Sequence, residues 1–395
     1  MPGSGTPWAR TNFKEDTLLR IQFLFHWSIS VSLCFKLANT VSGQLPNSTQ
    51  DYTMLRFLLP STCCIWIALI ANIALAFQAR GTAQFLFQDA PFAQCHASTI
   101  VEGTDGLVAA WFGGEHEKHP SVGIWLARLS DSKWSAPIEV ANGDQIDGPV
   151  ERFPCWNPVL FQPKNGPLLL FYKVGPDPQQ WWGMLKTSQD GGKTWSIAAR
   201  LPEGIAGPIK NKPLELESAM ILCGASTEDQ GWRVHFEATP DNGKHWWRTP
   251  PVNRSKDFSI IQPAFIHNGK NIQALCRSQK KGIVTIHSDD GGMTWSNPKQ
   301  TNLPNPNSGF DATTLSDGRH LLVYNHAKSG RSPLNLAISL DGENWQQVEV
   351  LENEPGEFSY PAIIQSKDGN VHITYTWNRK RIKYVVFDST QLPQQ

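Results

Sequence analysis

Six polar residues of this chain occupy one position in a recurring frame. They are His96 in QCHAS, Asn157 in CWNPV, Lys212 in KNKPL, Gln262 in IIQPA, Asp311 in GFDAT and Tyr360 in FSYPA. Each is followed by Pro or Ala, and successive members lie 61, 55, 50, 49 and 49 residues apart. Brought together they would offer a phenol, a carboxylate, an imidazole, an amine and two amides. A second set stands near the same frame. It holds Glu115, His116 and Glu117 in FGGEHEKHP, Arg277 at the end of IQALCRS, Asn325 in RHLLVYNHA and Arg331 in SGRSPLNLAIS, with Lys173 and Lys210 close in register. Arginine binds carboxylates in a bidentate fork, so this set suits an anionic ligand. Glu115, Glu117, Asp311 and His116 are the candidate acids and bases for proton transfer on it.

The elements that must position these residues repeat. SQDGGKTWS (188–196) recurs as SDDGGMTWS (288–296), more weakly as TPDNGKHWW (239–247) and in shortened form as SLDGENW (339–345). Trp195, Trp246, Trp295 and Trp345 are 51, 49 and 50 residues apart, a period that signals a repeat architecture. Within each period GPLLLFYKV, KNIQALCRS, RHLLVYNHA or GNVHITYTW follows a Gly-containing turn and reads as a strand. A second strand then runs into the Asp/Gly/Trp segment, which reads as a hairpin turn. The Asp accepts backbone N–H groups within its own turn, the Gly supplies positive φ, and the Trp packs between layers. Several short strands per period of about 50 residues describe propeller blades. Six starts give an all-β, six-bladed propeller of four-stranded antiparallel blades over residues 81–395. The last blade lacks an outer strand after VVFDST, and AQFLFQ (83–88) is placed to supply it and close the ring. Inner strands run beside the central axis, so their first residues should gather at one mouth of the channel.

Residues 1–80 lack the repeat. FLLPSTCCIWIALIANIALA (57–76), read from Met54 and ending in small residues, resembles a secretory signal peptide; the alternative is a membrane anchor. Either places the remainder outside the cytosol, where Asn253-Arg254-Ser255 would be a glycosylation triplet. The only membrane contact expected is through that segment. The formal net charge of zero argues against a nucleic-acid partner. Of the seven Cys, three lie in the first 80 residues; the other four show neither zinc-like spacing nor a dense disulfide pattern, and Cys95 and Cys155 flank adjacent inner-strand starts. No metal motif and no nucleotide loop is present, so no cofactor is expected.

The Ser-x-Asp-x-Gly-x-Thr-Trp segments at Ser188–Trp195 and Ser288–Trp295 resemble the Asp-box of the sialidases, or neuraminidases, and the likeness spans about residues 82–388. The resemblance implies a tyrosine nucleophile activated by a Glu, an Asp acid/base and three Arg that hold the substrate carboxylate. Tyr360 resembles the nucleophile, and Arg277 and Arg331 resemble two of the arginines. Gln262 stands where the resemblance calls for the activating Glu, and an amide cannot take the tyrosine proton. His96 stands near the place of the first arginine, and FGGEHEKHP replaces the loop that carries the Asp. The candidate catalytic set is thus Tyr360, Asp311, Glu115, Glu117 and Gln262. The candidate substrate-binding set is His96, His116, Asn157, Lys173, Lys212, Arg277, Asn325 and Arg331.

Trp156, Trp181 and Trp182 can stack on sugar faces or pack between blades. Three readings follow. One is an exo-acting hydrolase of a terminal anionic sugar in a glycan, sialic acid or a relative, in which Asp311 and a first-blade Glu would supply paired carboxyls. The second is a uronate lyase, with His96 or Tyr360 removing the proton beside a carboxylate neutralised by Arg277 and Lys212. The third is a sugar-binding propeller without turnover, for which Gln262 speaks.

Overall fold

The computed structural model describes residues 81–144 and 151–394. The signal or anchor segment read from residues 1–80 lies outside the described residues. Six antiparallel sheets follow one another around the ring, each a blade of four strands, with an extra strand on the first. Their inner strands are Gln94–Gly103, Cys155–Phe161, Leu214–Glu215, Ile260–Asn268, Asp311–Thr314 and Phe358–Gln365.

Burial falls from the axis outward, and the sequence follows it. The second strand of blade II, Leu168–Val174, is LLLFYKV and buried throughout, because neighbouring blades cover both its faces. The outer strand of the same blade, Ala199–Arg200, is exposed. Ring closure takes the anticipated form. Thr82–Phe85 pairs antiparallel with Arg381–Asp388 and completes blade VI. The strand stops at Phe85 because Leu86 and Phe87 turn inward, where the Phe87 ring stacks on Trp111 at 5.0 Å.

The Asp-box turns hold themselves together. Ser188 Oγ accepts from the Gly192 N–H at 2.8 Å and donates to Asp190 Oδ1 at 2.7 Å. Asp190 also accepts from the Thr194 N–H at 2.9 Å and the Thr194 hydroxyl at 2.6 Å. These bonds to the charged form hold Asp190 well below the usual carboxylate range. Gly192 adopts φ +82°, a conformation that a side chain would strain. Trp295 lies flat on Phe236 at 3.6 Å and packs into the core between blades III and IV.

The inner-strand frame is less uniform than the sequence suggests. In blades II, IV and VI the register slips at Asn157–Pro158, Gln262–Pro263 and Tyr360–Pro361, and the first residue of each bulge takes positive φ: +25°, +56° and +51°. In blade I the bulge is Ala97–Ser98 and the residue with positive φ is Ala97 at +56°, so His96 sits one step ahead of the frame. Asp311 of blade V pairs in register with Val323, and Lys212 of blade III precedes a two-residue strand. Non-glycine residues held at positive φ cost about 1–3 kcal/mol each. Four of them around one mouth mark a place where position outweighs backbone comfort.

Candidate active site

The bulges leave backbone carbonyls without sheet partners, and one segment meets them. Lys210, Asn211 and Lys212 lie inside the channel. Asn211 donates to Gln262 O at 3.0 Å and Pro263 O at 3.1 Å. The Lys210 ammonium donates to Phe310 O at 3.0 Å and also to Pro361 O. Lys212 donates to Ala312 O at 2.7 Å and pairs with Asp311 at 3.0 Å. Burial lowers the Lys210 pKa to about 7, against the pull of Asp311.

This arrangement changes the place of several sequence candidates. Lys212 and Asp311 are not at the mouth: they bind each other, and Asp311 Oδ2 also accepts from Ile363 N–H at 3.0 Å. Lys173 is fully buried, donates to Pro208 O, and burial lowers its pKa to about 7. Asn325 is buried too; its amide donates to Arg331 O at 3.0 Å, Pro333 O at 2.9 Å and Phe358 O at 2.9 Å, shaping the loop that carries Arg331. Glu115 and His116 are exposed on the first-blade loop, where Glu115 faces His119 at 3.2 Å. Asn253 is no free acceptor for a glycan. Its side chain is buried, accepts from Val234 N–H at 2.7 Å, and donates to Trp232 O at 3.0 Å and Phe258 O at 2.6 Å.

The mouth itself is an open pocket of about 420 Å³, with Tyr360, Gln262, Arg277, His96 and Asn157 in its wall. The Tyr360 hydroxyl lies 2.5 Å from Arg277 Nη1 and 3.5 Å from Gln262 Nε2. Arg277 is fixed on two further sides, donating to Gln262 Oε1 at 3.3 Å and Asn307 Oδ1 at 2.7 Å. The Arg331 guanidinium sits 5.8 Å from the Tyr360 ring centre, and its Nη1 donates to Ser308 at 2.8 Å. The His96 ring lies 4.3 Å from the Tyr360 ring, with Nδ1 3.0 Å from Thr376 Oγ1. Burial, then the charges of Arg379, Arg331, Arg277 and Lys210, push the His96 pKa well below the ordinary imidazole range, so the ring is neutral at pH 7. Gly309 packs against the Tyr360 ring so closely that a Cβ there would lie 3.1 Å from three of its atoms.

Among the residues of this neighbourhood that the sequence frame does not single out are Arg379, Asp177 and Glu228. Arg379 joins the first-blade loop to blade VI, pairing with Glu117 and with Glu357 at 3.0 Å. Burial works against its charge, but the two carboxylates hold Arg379 above the ordinary guanidinium range. Asp177 and Glu228 line the pocket from blades II and III. Antiparallel pairing supplies a signal that would have found them. The end of each second strand lies beside the start of its inner strand, and Arg379, Asp177 and Glu228 follow second strands ending at Trp377, Val174 and Thr227. Trp181 lines the pocket against buried Trp156, at 5.8 Å between rings. Trp182 instead packs on Phe153 at 5.6 Å and carries Arg200 at 4.6 Å. Cys95, Cys155, Cys223 and Cys276 are buried free thiols, and burial raises the pKa of each.

A six-bladed propeller with Asp-box turns and a tyrosine–arginine mouth has the fold of the sialidases. The chain belongs to the BNR repeat-like domain family, whose model matches residues 105–373. No curated protein matches the sequence. A protein of Dyadobacter fermentans superposes with a TM-score of 0.65 at 18% identity, covering 78% of this chain and 97% of that one. The NanB sialidase of Streptococcus pneumoniae gives 0.64 at 13% identity, covering 78% of this chain and 71% of that one. The leech intramolecular trans-sialidase, complexed with 2,7-anhydro-Neu5Ac, gives 0.63 at 13% identity, covering 78% and 70%.

Proposed function

We propose that the protein hydrolyses a terminal carboxylate-bearing sugar, sialic acid or a close relative, from a glycan, with Tyr360 as nucleophile. The observation that carries this reading is the Tyr360 oxygen 2.5 Å from Arg277 Nη1, in the wall of an open pocket. Arg277 and Arg331 supply the charge that a sugar carboxylate needs. The sialidase and the trans-sialidase that share the fold support the substrate class.

In the first half-reaction the Tyr360 oxygen bonds to the anomeric carbon as the bond to the aglycone oxygen breaks. That oxygen takes a proton from an acid. In the second, water attacks the anomeric carbon, gives its proton to the conjugate base, and the Tyr360 phenolate leaves. The phenol must lose its own proton before attack. Gln262 has no site to take it, so the proton passes to solvent. Gln262 instead orients Arg277 through its Oε1 at 3.3 Å.

Gln262 also favours a second reading, a propeller that binds the sugar and does not turn it over. One panel separates the two. Wild type, Tyr360→Phe and Gln262→Glu are incubated with sialosides and uronic-acid oligosaccharides, and released sugar is read by mass and ultraviolet absorbance. Hydrolysis predicts free acidic sugar from wild type and a loss of roughly a thousandfold or more in Tyr360→Phe. Gln262→Glu, which restores a proton acceptor, should be faster by about tenfold or more. Binding without product from all three would establish the second reading. A product lighter by one water and absorbing in the ultraviolet would point to a lyase. On the strength of the apolar segment ending at Ala76, we also propose that the propeller acts outside the cytosol. N-terminal sequencing of protein recovered from culture medium tests this; retention in the cytosol would contradict it.

A further inference from the structure

We propose that Glu228 is the proton donor to the departing aglycone, an assignment that rests on the hydrolytic reading above. The other carboxylates near the mouth are engaged. Glu117 is ion-paired with Arg379, which also binds Glu357. Asp311 is paired with Lys212 inside the channel. Asp177 accepts from the Gln179 N–H at 2.8 Å within its own loop. Glu115 is exposed and faces His119.

Glu228 is set apart by its link, through Trp232, to the arginine that faces the nucleophile. It lines the pocket one residue past the strand Ile221–Thr227, in the hairpin that leads to Trp232. Its Oε2 accepts from the Trp232 indole N–H at 2.9 Å, and its Oε1 has no hydrogen-bond partner among the described residues. The Arg277 guanidinium stands 5.1 Å from the Trp232 ring centre and reaches the Tyr360 oxygen. One chain of contacts therefore fixes the carboxyl relative to the nucleophile. Burial raises the Glu228 pKa, the Trp232 bond and Arg277 lower it, Asp177 raises it, and the net direction is upward. That favours the protonated form needed at the start of the cycle.

The protons balance across the two half-reactions. Glu228 O–H gives its proton to the aglycone oxygen as the glycosidic bond breaks and the Tyr360–carbon bond forms. The Glu228 carboxylate then takes a proton from the attacking water as the Tyr360–carbon bond breaks.

The test uses Glu228→Gln in the full chain and two substrates. Sialyllactose has a poor leaving group that needs the proton; an aryl sialoside with an acidic phenol leaves without it. For an acid, kcat on sialyllactose falls about 10²–10⁴-fold, while formation of the glycosyl-enzyme from the aryl sialoside falls by less than about tenfold. The ratio is taken within one variant, so a smaller folded fraction does not alter it. Glu117→Gln should leave that ratio at the wild-type value. An equal fall on both substrates in Glu228→Gln, or unchanged hydrolysis of sialyllactose, would overturn the assignment alone. No sugar released by wild type from either substrate would overturn the hydrolytic reading and this assignment with it.

Discussion

The Asp-box turns and the inner-strand starts share a period of about 50 residues, but they diverge in opposite ways. At the turns the residues change and the bonds remain. Thr194, Thr294, His245 and Asn344 each reach the second carboxylate oxygen of their own Asp, at 2.6, 2.6, 2.5 and 2.8 Å. At the starts the frame persists in sequence while the bonds differ. Tyr360 faces Arg277, Gln262 orients that arginine, Asp311 is locked to Lys212, and His96 packs neutral against the Tyr360 ring. A turn needs only its own backbone satisfied, so each copy solves the same local problem. A start at the axis meets residues from several blades, so no two copies share an environment. The turns serve the fold, and the starts form the mouth on which the proposed chemistry rests.

Substitutions at the two regions should therefore separate activity from stability. After Tyr360→Phe, the next effect is expected at Gly309, which opens the blade V frame GFDAT two residues before Asp311. Gly309→Ala brings a methyl to 3.1 Å from the Tyr360 ring, so the ring must shift by a few tenths of an ångström. Turnover should fall about tenfold with little change in melting temperature, read by steady-state kinetics and calorimetry side by side.

A smaller, pH-dependent effect reports on buried Lys173 and on the Lys210–Lys212 segment that plugs the channel beneath the mouth. Lys173 and Lys210 have folded pKa values lowered to about 7, against 10.5 for the free side chain. Between these values the unfolded state binds more protons, so stability rises with pH from about 7, by up to about 1.4 kcal/mol per pH unit for each lysine. Above about pH 9 the four buried thiols oppose this rise. Their folded pKa values are raised, so they ionise first in the unfolded chain and stability falls. Lys210→Met should flatten the rising limb in urea titrations at stepped pH; an unchanged slope would remove the plug from this role. The smallest effect is expected at the turns. Asp290→Ala should lower the melting temperature by a few degrees and leave turnover unchanged, since Asp290 caps its own turn through Thr294 and Met293 and does not line the pocket.

The same contrast explains what the sequence discloses. The blades were legible because Asp190, Gly192 and Trp195 form a local pattern that needs no distant partner. Ring closure was legible because blade VI lacked a strand and an apolar run was left over at its other end. The mouth was legible in part. Tyr360, Gln262, Arg277, His96 and Asn157 do line one pocket. Lys212 and Asp311 follow the same frame yet turn to each other inside the channel, where Lys212 also donates to Ala312 O. Nothing along the chain announces that pairing, which joins residues 99 positions apart. Glu228 and Arg379 fall outside a frame built on strand starts alone. Their antiparallel neighbours end at the same place.

The most direct measurement is to trap the covalent intermediate. An activated fluorosugar of the sialic acid class forms a glycosyl-enzyme that turns over slowly, and the digested protein is analysed by mass spectrometry. The expected result is one added sugar on the peptide that contains Tyr360, absent in Tyr360→Phe. An adduct on another residue, or none while the sugar still binds, would contradict Tyr360 as the nucleophile.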